Sequence, residues 1–171
     1  MNSFRVRRMS GDDVSAFKHI RLEALRLHPV SFGASFEQES QKPAAFFAVC
    51  LQSNTVFGGF DRQNRLQGII GIRFNRAPKL RHVAMLWGMY VRAEMRGTGL
   101  SLALLQSALL DAGPDMTVKL SVVATNLSAL RLYRSVGFIP WATDRRALCV
   151  DGVFHDEVLM RRDHGSQTGI A

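Results

Sequence analysis

The sequence of 171 residues predicts one domain of the α/β class, of the α+β type, with a central sheet flanked by helices. Two observations predict this class. Runs that alternate apolar and polar residues, as strands do, are interspersed with runs whose apolar residues recur every three or four positions, as in helices. A strand, a glycine-containing loop and a strongly apolar helix also follow one another at residues 83–111. We place the domain at residues 4–161 and expect the polar residues 162–171 to form a disordered tail.

The first half of the chain is predicted to contain three strands and three helical regions. Residues 4–8 alternate apolar and charged side chains, which is typical of an edge strand. Ser10 and Asp13 have the spacing of a capping box, and the amphipathic helix that follows is ended by Pro29. Further helical regions are predicted at 31–39 and 44–51, and strands at 55–60 and 66–74 on either side of a polar turn.

The second half is predicted to alternate strands and helices before it ends in a hairpin. Gly137 is placed as the left-handed stop of the second of these helices. The pair Asp151-Gly152 is a strong hairpin signal between the last two strands. The predicted strands are 83–91, 118–123, 141–150 and 153–160, and the predicted helices are 100–111 and 128–135.

The loop Arg96-Gly97-Thr98-Gly99-Leu100-Ser101 predicts a phosphate site. Its two glycines allow a tight turn, and the first free amides of the following helix can bind phosphate oxygens together with the helix dipole. A nucleotide P-loop is excluded because no Gly-Lys pair occurs, and the dinucleotide fingerprint is incomplete because Leu102 occupies its third glycine position. Taken alone, two glycines in a strand-to-helix turn are equally compatible with a purely steric role.

A second motif follows one predicted strand later, and the two together carry a family resemblance. The loop fits the pattern Arg/Gln-x-x-Gly-x-Gly/Ala, with serine at its last position. The second motif fits Asn-x-x-Ala-x-x-x-Tyr followed by Gly-Phe. In this order and spacing, the two motifs resemble those of the GCN5-related N-acetyltransferase (GNAT) superfamily. The matching residues are Arg96, Gly99 and Ser101 in the loop and Asn126, Ala129, Tyr133, Gly137 and Phe138 in the second motif.

The resemblance implies a specific fold and a cofactor site. The fold is a mixed sheet of about seven strands with about four helices, in which strands four and five, here 83–91 and 118–123, splay apart. Acetyl-CoA lies between them, with its pyrophosphate on the loop and backbone amides of strand four directed at the thioester. The implied cofactor-binding residues are Met89, Tyr90, Val91, Arg96, Gly97, Thr98, Gly99, Leu100, Ser101, Asn126 and Tyr133.

The resemblance also implies the activity: an acetyl-CoA-dependent N-acetyltransferase that moves the acetyl group to a primary amine by direct transfer in a ternary complex, without a metal. Tyr133 is its implied catalytic residue, the general acid that protonates the leaving thiolate. Two alternatives stay open, a non-catalytic acyl-CoA-binding module and an RNA- or ribosome-associated acetyltransferase. The acceptor pocket is expected between the early helices and the late hairpin. The acceptor itself, a small-molecule or peptide amine, the preferred acyl chain and the oligomeric state, monomer or homodimer, stay open.

The general base is not assigned. Many members of the family carry a glutamate in strand four, about eleven residues before the loop arginine, where this chain has Met85. That difference puts direct carboxylate catalysis from the strand in doubt and favours a substitute, a water chain or an acceptor that arrives neutral. The substitutes considered are His82, Glu37, Glu39, Asp156 and Glu157.

The composition of the chain limits which binding partners and which cellular compartment are expected. The net charge of +8 is spread along the chain rather than collected in a run, which favours an anionic cofactor over a nucleic-acid partner without excluding the latter. Cys50 and Cys149 are far apart and lack metal-ligand spacing, so we expect two buried, reduced thiols and no metal. We find no signal peptide and no membrane-spanning run, and expect a cytoplasmic protein without membrane association.

Overall fold

The computed structural model of the protein describes residues 4–163, which form one seven-stranded mixed sheet with helices on both faces. The strand order is β1-β2-β3-β4-β5-β7-β6, and every neighbouring pair is antiparallel except β4 and β5. The strands are β1 (Phe4–Arg8), β2 (Thr55–Asp61), β3 (Leu66–Phe74), β4 (Val83–Val91), β5 (Thr117–Val123), β6 (Ile139–Val150) and β7 (Val153–Arg162). The helices are α1 (Val14–Leu27), α2 (Phe36–Ser40), α3 (Ala44–Ser53), α4 (Leu100–Ala112) and α5 (Leu127–Ser135).

The predicted fold class and the mixed sheet are confirmed, with four helices of nine residues or more and the short α2. The boundaries of the second helical region were wrong. Instead of a helix over 31–39, a 3-10 turn at Pro29–Ser31 is followed by extended backbone at Phe32. Helix α2 begins only after Ser35, whose hydroxyl accepts the Gln38 amide at 3.2 Å. Ser35 therefore caps a new helix at this point, and the predicted helix does not run continuously through residues 31–39.

The carboxyl end of the chain also differs slightly from the prediction. Strand β7 runs through Arg162, two residues beyond the predicted strand and one beyond the predicted domain boundary. Residues 164–171 of the expected tail lie outside the described residues. The hairpin turn at Asp151-Gly152 is confirmed, and both residues have positive φ, as the tight turn requires.

Each face of the sheet has its own apolar core. Helix α4 supplies one core, since Leu100, Leu104 and Leu105 are completely buried and the helix packs against β2, β3 and β4. Helices α1 and α3 supply the other through Phe17 and Phe47, whose rings meet edge-to-face at 6.2 Å between centroids. Strand β4 contributes to both cores, so its register decides which of its side chains faces which helix layer.

A bulge in β4 changes that register. Ile69 pairs with Tyr90 while Gly71 pairs with Trp87, so Gly88 and Met89 together face one residue of β3. Gly88 has φ +65°, the left-handed conformation that a glycine adopts at this kind of bulge. The inserted residue reverses the alternation: Trp87 packs on the α1 core, and Met89, two positions later, packs on the α4 core.

The same strand separates from its parallel neighbour. Strands β4 and β5 pair only from Val83 with Thr117 to Met85 with Lys119. Beyond that point the carboxyl-terminal half of β4 pairs with β3 alone, and that of β5 pairs with β7 alone. The splay expected between these two strands is therefore present.

The prediction about the two cysteines has a mixed outcome. Cys50 is half-buried, but Cys149 is exposed in β6, so the prediction of two buried thiols was wrong for Cys149. None of the helices in residues 4–163 is long and apolar enough to cross a membrane. Within the same residues, His, Cys, Asp and Glu side chains form no group of three or more that could hold a metal ion.

Substitution of Gly71 by alanine tests the packing between β3 and β4. The indole of Trp87 lies directly over Gly71, and a Cβ at this position would overlap its ring atoms. We expect Gly71→Ala to lower the free energy of unfolding by about 1–3 kcal/mol, because the rigid ring must move. Gly11→Ala is the control, since no atom lies within 4 Å of a Cβ at Gly11. Urea unfolding that gives equal values for both variants would contradict this packing.

Candidate active site

A cleft of about 620 Å³ lies where β4 and β5 separate. Its two walls are the unpaired strand edges, formed by residues 86–91 of β4 and 120–123 of β5. The start of α4, one side of α5 and residues 28–32 complete the lining. Among the described residues no Asp or Glu lines this cleft, and Arg96 is its fixed cation. The cleft can therefore accept an anionic ligand that offers backbone-like hydrogen-bonding groups to both strand edges.

The loop before α4 has the geometry of an anion site. Gly97 and Gly99 have φ of +77° and +91°, and a Cβ on either would project into empty space. Ala103 donates its amide to the Gly99 carbonyl at 3.0 Å, so the three amides before it in the first turn lie ahead of the intrahelical bonds. Arg96 is held beside them, since its Nε donates to the Val91 carbonyl at 3.2 Å. Empty space over free amides and a guanidinium fits a pyrophosphate.

Tyr133 lies in the cleft as a buried phenol with one weak partner. Its hydroxyl donates to the sulfur of Met89 at 3.6 Å, and its ring meets Phe138 edge-to-face at 5.8 Å. The bulge at Gly88 brings Met89 to this side of the sheet. Burial raises the pKa of Tyr133 to about 12, so the phenol keeps its proton at neutral pH. A protonated hydroxyl whose partner is only a thioether is free to donate to a ligand in the cleft.

Asn126 has the structural role that the sequence allowed and also lies at the cleft. Its side-chain oxygen accepts the Ala129 amide at 3.1 Å, which makes it the N-cap of α5. Asn126 also lines the cleft, at the start of the helix that contains Tyr133. The cap thereby fixes the start of the helix that carries the tyrosine, whatever else the side chain contacts.

The remaining predicted site residues divide into two groups. Thr98, Gly99 and Leu100 do not line the cleft: the Thr98 hydroxyl donates to the Met95 carbonyl at 2.8 Å, and the Leu100 side chain is completely buried. From these positions only backbone groups can reach a ligand. The structure brings the others together around one space, and these cleft-lining residues are Met89, Tyr90, Val91, Arg96, Gly97, Ser101, Asn126 and Tyr133.

An ion pair missed in the sequence supports the β4 wall. The Glu23 carboxylate of α1 accepts the Arg92 guanidinium at 2.7 and 2.9 Å and the Tyr90 hydroxyl at 2.9 Å. Burial alone would raise the pKa of Glu23, but the hydrogen bonds from Arg92 and Tyr90 outweigh it and lower the pKa. The carboxylate is thus held as an ion that already accepts several donors. Its partners are 67 and 69 residues away, so no local pattern could identify it.

His28 is a second cleft residue that the motifs did not reveal. Its ring lies against Tyr90, with centroids 5.6 Å apart, and its Nε2 is 3.3 Å from Nη2 of Arg96. Because a guanidinium only donates, this contact requires a neutral ring whose proton is on Nδ1. Burial, and then the charge of Arg96, lower the pKa of His28. His28 therefore holds Arg96 at the cleft as a neutral hydrogen-bond acceptor.

The candidate bases proposed from the sequence do not line the cleft. His82 is exposed immediately before β4, at the end where β4 and β5 are still paired. Asp156 accepts the Arg146 amide at 2.8 Å in the irregular part of β6, and Glu157 lies opposite Val123 on β7. None of these three residues lines the cleft.

The other two candidates lie on the side of a second cavity. This cavity, of about 490 Å³, is bounded by the end of α1, residues 29–37 and residues 147–151 of the hairpin. Glu37 lines it, whereas Glu39 is paired with Arg21 at 2.8 Å. Phe32 lines both cavities, so the second cavity adjoins the cleft at this ring. An acceptor could approach the cleft from here.

Known proteins resemble the chain in sequence and in fold. The model of the Acetyltransferase (GNAT) family matches residues 18–138. N-alpha-acetyltransferase RimI of Mycobacterium tuberculosis is 36% identical over 124 residues, which cover 72% of this chain and 75% of that protein. An acetyltransferase of the GNAT family from Streptococcus pneumoniae superposes with a TM-score of 0.81 at 18% identity, covering 93% of this chain and 98% of its own. The yncA protein of Salmonella typhimurium, solved with its cofactor acetyl-CoA, superposes with a TM-score of 0.76 at 19% identity. The superposition covers 98% of this chain and 97% of that protein.

The contact between His28 and Arg96 predicts a pH dependence of stability. Because the pKa of His28 is lower in the folded chain than its ordinary 6.5, the unfolded chain binds the proton more readily. Stability should therefore fall as pH drops below about 6.5, until the folded-state pKa is passed. His28→Gln lacks this titration and should lose less stability between pH 7.5 and pH 5. The check is the free energy of unfolding in urea at both pH values; parallel losses in the two proteins would refute it.

Proposed function

Because the chain belongs to the Acetyltransferase (GNAT) family and is an N-acetyltransferase, we propose that it transfers the acetyl group directly from acetyl-CoA to a primary amine while both are bound. One observation carries the proposal. The cleft between the separated edges of β4 and β5 joins the amide-rich start of α4 to the Tyr133 hydroxyl. A ligand with a pyrophosphate at one end and a reactive thioester at the other matches this arrangement.

The residues at the cleft are suited to acetyl-CoA, which supplies an activated acetyl thioester. Gly97 and Gly99 leave room over the loop amides, and Arg96 adds a positive charge beside them. The free edges of β4 and β5 offer backbone donors and acceptors to the amide groups of the pantetheine arm. Met89, Tyr90 and Val91 contribute backbone at the bulge, where an amide donor can stabilise charge that develops on the thioester oxygen.

The proposed reaction needs few side chains. The lone pair of the acceptor nitrogen forms a bond to the thioester carbonyl carbon, and the carbon–sulfur bond breaks. The sulfur takes a proton from the Tyr133 hydroxyl. The nitrogen releases one proton to solvent, and the phenol takes one proton back from solvent, so that the protons balance. The main contribution of the protein is to hold both reactants together, an effect worth up to about 7–11 kcal/mol of the barrier. Tyr133 contributes a proton in a site from which water is largely excluded.

We further propose an α-amino group as the acceptor. No carboxylate of the described residues lines the cleft, and Met85 occupies the position where many members of the family carry a glutamate. An α-amine has a pKa of about 7.7–8.0 against about 10.4 for a lysine, so its neutral fraction at pH 7 is roughly 10²–10³ times larger. Such an acceptor needs little help from a base. The matched relative, an N-alpha-acetyltransferase by name, supports the same class.

The missing carboxylate also favours one competing function, a binding module that holds acyl-CoA without turnover. In that case acetyl-CoA would bind with ordinary affinity, and no amine would release its thiol. Calorimetry with acetyl-CoA alone and thiol release across an amine panel distinguish the two functions. Binding without release from α-amines, lysine side chains or polyamines would favour the module.

Tyr133→Phe tests the proposed transfer. Since the hydroxyl has only a thioether partner within the protein, its loss should change the free energy of unfolding by less than about 1 kcal/mol. We expect kcat for thiol release to fall by about 10²-fold, the lower range of general acid catalysis, with the affinity for acetyl-CoA nearly constant.

The comparison variant for this test is Tyr90→Phe. The Tyr90 hydroxyl is bonded to Glu23, so its removal should cost about 1 kcal/mol of stability and reduce kcat less than Tyr133→Phe does. The release of thiol by both variants is measured in stopped-flow and steady-state assays with a reagent that reacts with free thiols. If Tyr133→Phe kept the wild-type kcat for every acceptor that the wild type uses, Tyr133 would not be the general acid.

A further inference from the structure

His28 lines the cleft, but the proposed reaction gives it no role. The residue directly follows α1, and its ring packs on that of Tyr90 in β4 with 5.6 Å between the centroids. Its Nε2 is 3.3 Å from Nη2 of Arg96. Arg96 and Gly97, at the start of the loop before α4, line the same cleft. His28 is therefore a titratable side chain in contact with the cation of the proposed pyrophosphate site.

Two nitrogens of the Arg96 guanidinium have a partner in the protein, and the third is open. Its Nε donates to the Val91 carbonyl at 3.2 Å, and its Nη2 is in contact with the neutral His28 ring. Its Nη1 has no hydrogen-bond partner among residues 4–163. Arg96 is exposed and lines the cleft, so this third nitrogen can bind an anion there.

An anion bound to Arg96 lies close to the His28 ring. A hydrogen bond to Nη1 places a phosphate oxygen about 2.9 Å from that nitrogen. Since Nε2 of His28 is 3.3 Å from Nη2 of the same planar group, the oxygen is within roughly 8 Å of the ring. That separation does not exceed the Debye length, which is about 8 Å at physiological ionic strength. The charge of the anion therefore acts on His28.

In the empty cleft the surroundings of His28 favour its neutral form. Burial, and then the charge of Arg96, lower the pKa of His28. The other titratable side chains that line the cleft are Tyr90 and Tyr133, and burial raises the pKa of each phenol to about 12, so both stay neutral. Arg96 is the charged group in contact with the ring. The neighbouring elements also carry the ion pair of Glu23 with Arg92 and the charged side chains of Arg26, Glu94 and Glu157.

We propose that His28 is a further residue of the cofactor site, which holds Arg96 while the site is empty and takes up a proton from solvent when the pyrophosphate of acetyl-CoA binds. This inference rests on the proposed function and adds a residue to its cofactor site. An anion near the ring favours the charged imidazolium. A phosphate oxygen can also replace His28 as the acceptor for Arg96, which leaves Nε2 free to carry the proton.

The sign of the pH dependence follows from linkage between the two binding events. The pKa of His28 is below its ordinary 6.5 in the empty protein and rises when the anion binds. The affinity for the cofactor is therefore constant well above pH 6.5 and increases as the pH falls below it. The increase ends below the pKa of the empty protein, where His28 carries the proton with or without the ligand.

The test uses two ligands that differ at the phosphate end. Acetyl-dephospho-CoA keeps the pyrophosphate but lacks the 3′-phosphate, whose own protonation at roughly pH 6 would mask that of the protein. Acetyl-pantetheine keeps the thioester arm and carries no phosphate. Calorimetry at pH 7.5 and pH 5 measures Kd for both ligands, and circular dichroism verifies at each pH that the protein is folded.

The variants separate the titration of His28 from its contact with Arg96. His28→Gln keeps an acceptor oxygen for Arg96 but cannot take up a proton. His82→Gln is the matched control, since His82 is exposed and does not line the cleft. Proton NMR of the histidine rings, with the His28 signals assigned by their loss in His28→Gln, measures the pKa of His28 in the wild type with and without each ligand.

We expect the wild-type Kd for acetyl-dephospho-CoA to fall by about 3- to 10-fold from pH 7.5 to pH 5, and that of His28→Gln to change by less than about twofold. The control should match the wild type. Acetyl-pantetheine should bind without this gain, and only acetyl-dephospho-CoA should raise the pKa of His28. A wild-type Kd that does not fall with pH, together with an unchanged pKa of His28, would overturn the inference, as would an equal gain in His28→Gln.

The outcome also separates this inference from the proposed function. Binding of acetyl-dephospho-CoA and thiol release with an amine, without proton uptake by His28, overturn only the role of His28. If the wild type binds neither ligand at either pH, the proposed cofactor site and this inference fall together.

Discussion

The bulge at Gly88 is the constraint on which the site depends. In a regular strand Met89 would face the same helix layer as Trp87, and its sulfur could not contact Tyr133. The extra residue reverses the alternation, and β4 leaves β5 within the same stretch. Unpaired backbone edges inside a protein are costly unless something pairs with them. The separated edges can therefore pair with a ligand that has amide groups of its own, as the pantetheine arm of the proposed acetyl-CoA does.

The charged groups around the cleft are arranged to hold its walls rather than to exchange protons. Glu23 accepts hydrogen bonds from Arg92 and Tyr90, and Glu39 accepts them from Arg21, so both carboxylates are occupied by donors. In the proposed reaction, Arg96 would lie at the phosphate end of the cleft and the protonated Tyr133 phenol at its reactive end. Such a site would favour an acceptor that needs little deprotonation, and its rate would come from positioning and from proton donation to sulfur.

Local signals predicted most of the fold, and the motifs indicated eight of the residues that line the cleft. Periodicity placed all seven strands, and the glycines at 97 and 99 placed the loop before α4. The motif drew attention to Tyr133, which the structure places in the cleft. The contacts of His28, Arg21 and Trp87 could not be found this way, because they join residues that are distant in the chain. The error over residues 31–39 had a local cause, the cap at Ser35.

The central claim is that acetyl-CoA pairs with the separated strand edges and with the start of α4. Amide hydrogen exchange with and without saturating acetyl-CoA, read by mass spectrometry, tests it most directly. The account predicts slower exchange in residues 86–91 of β4 and in residues 97–102, with no change in β1 and β2. Unchanged exchange in both stretches under saturating ligand, or protection confined to residues 147–151 of the second cavity, would contradict the account.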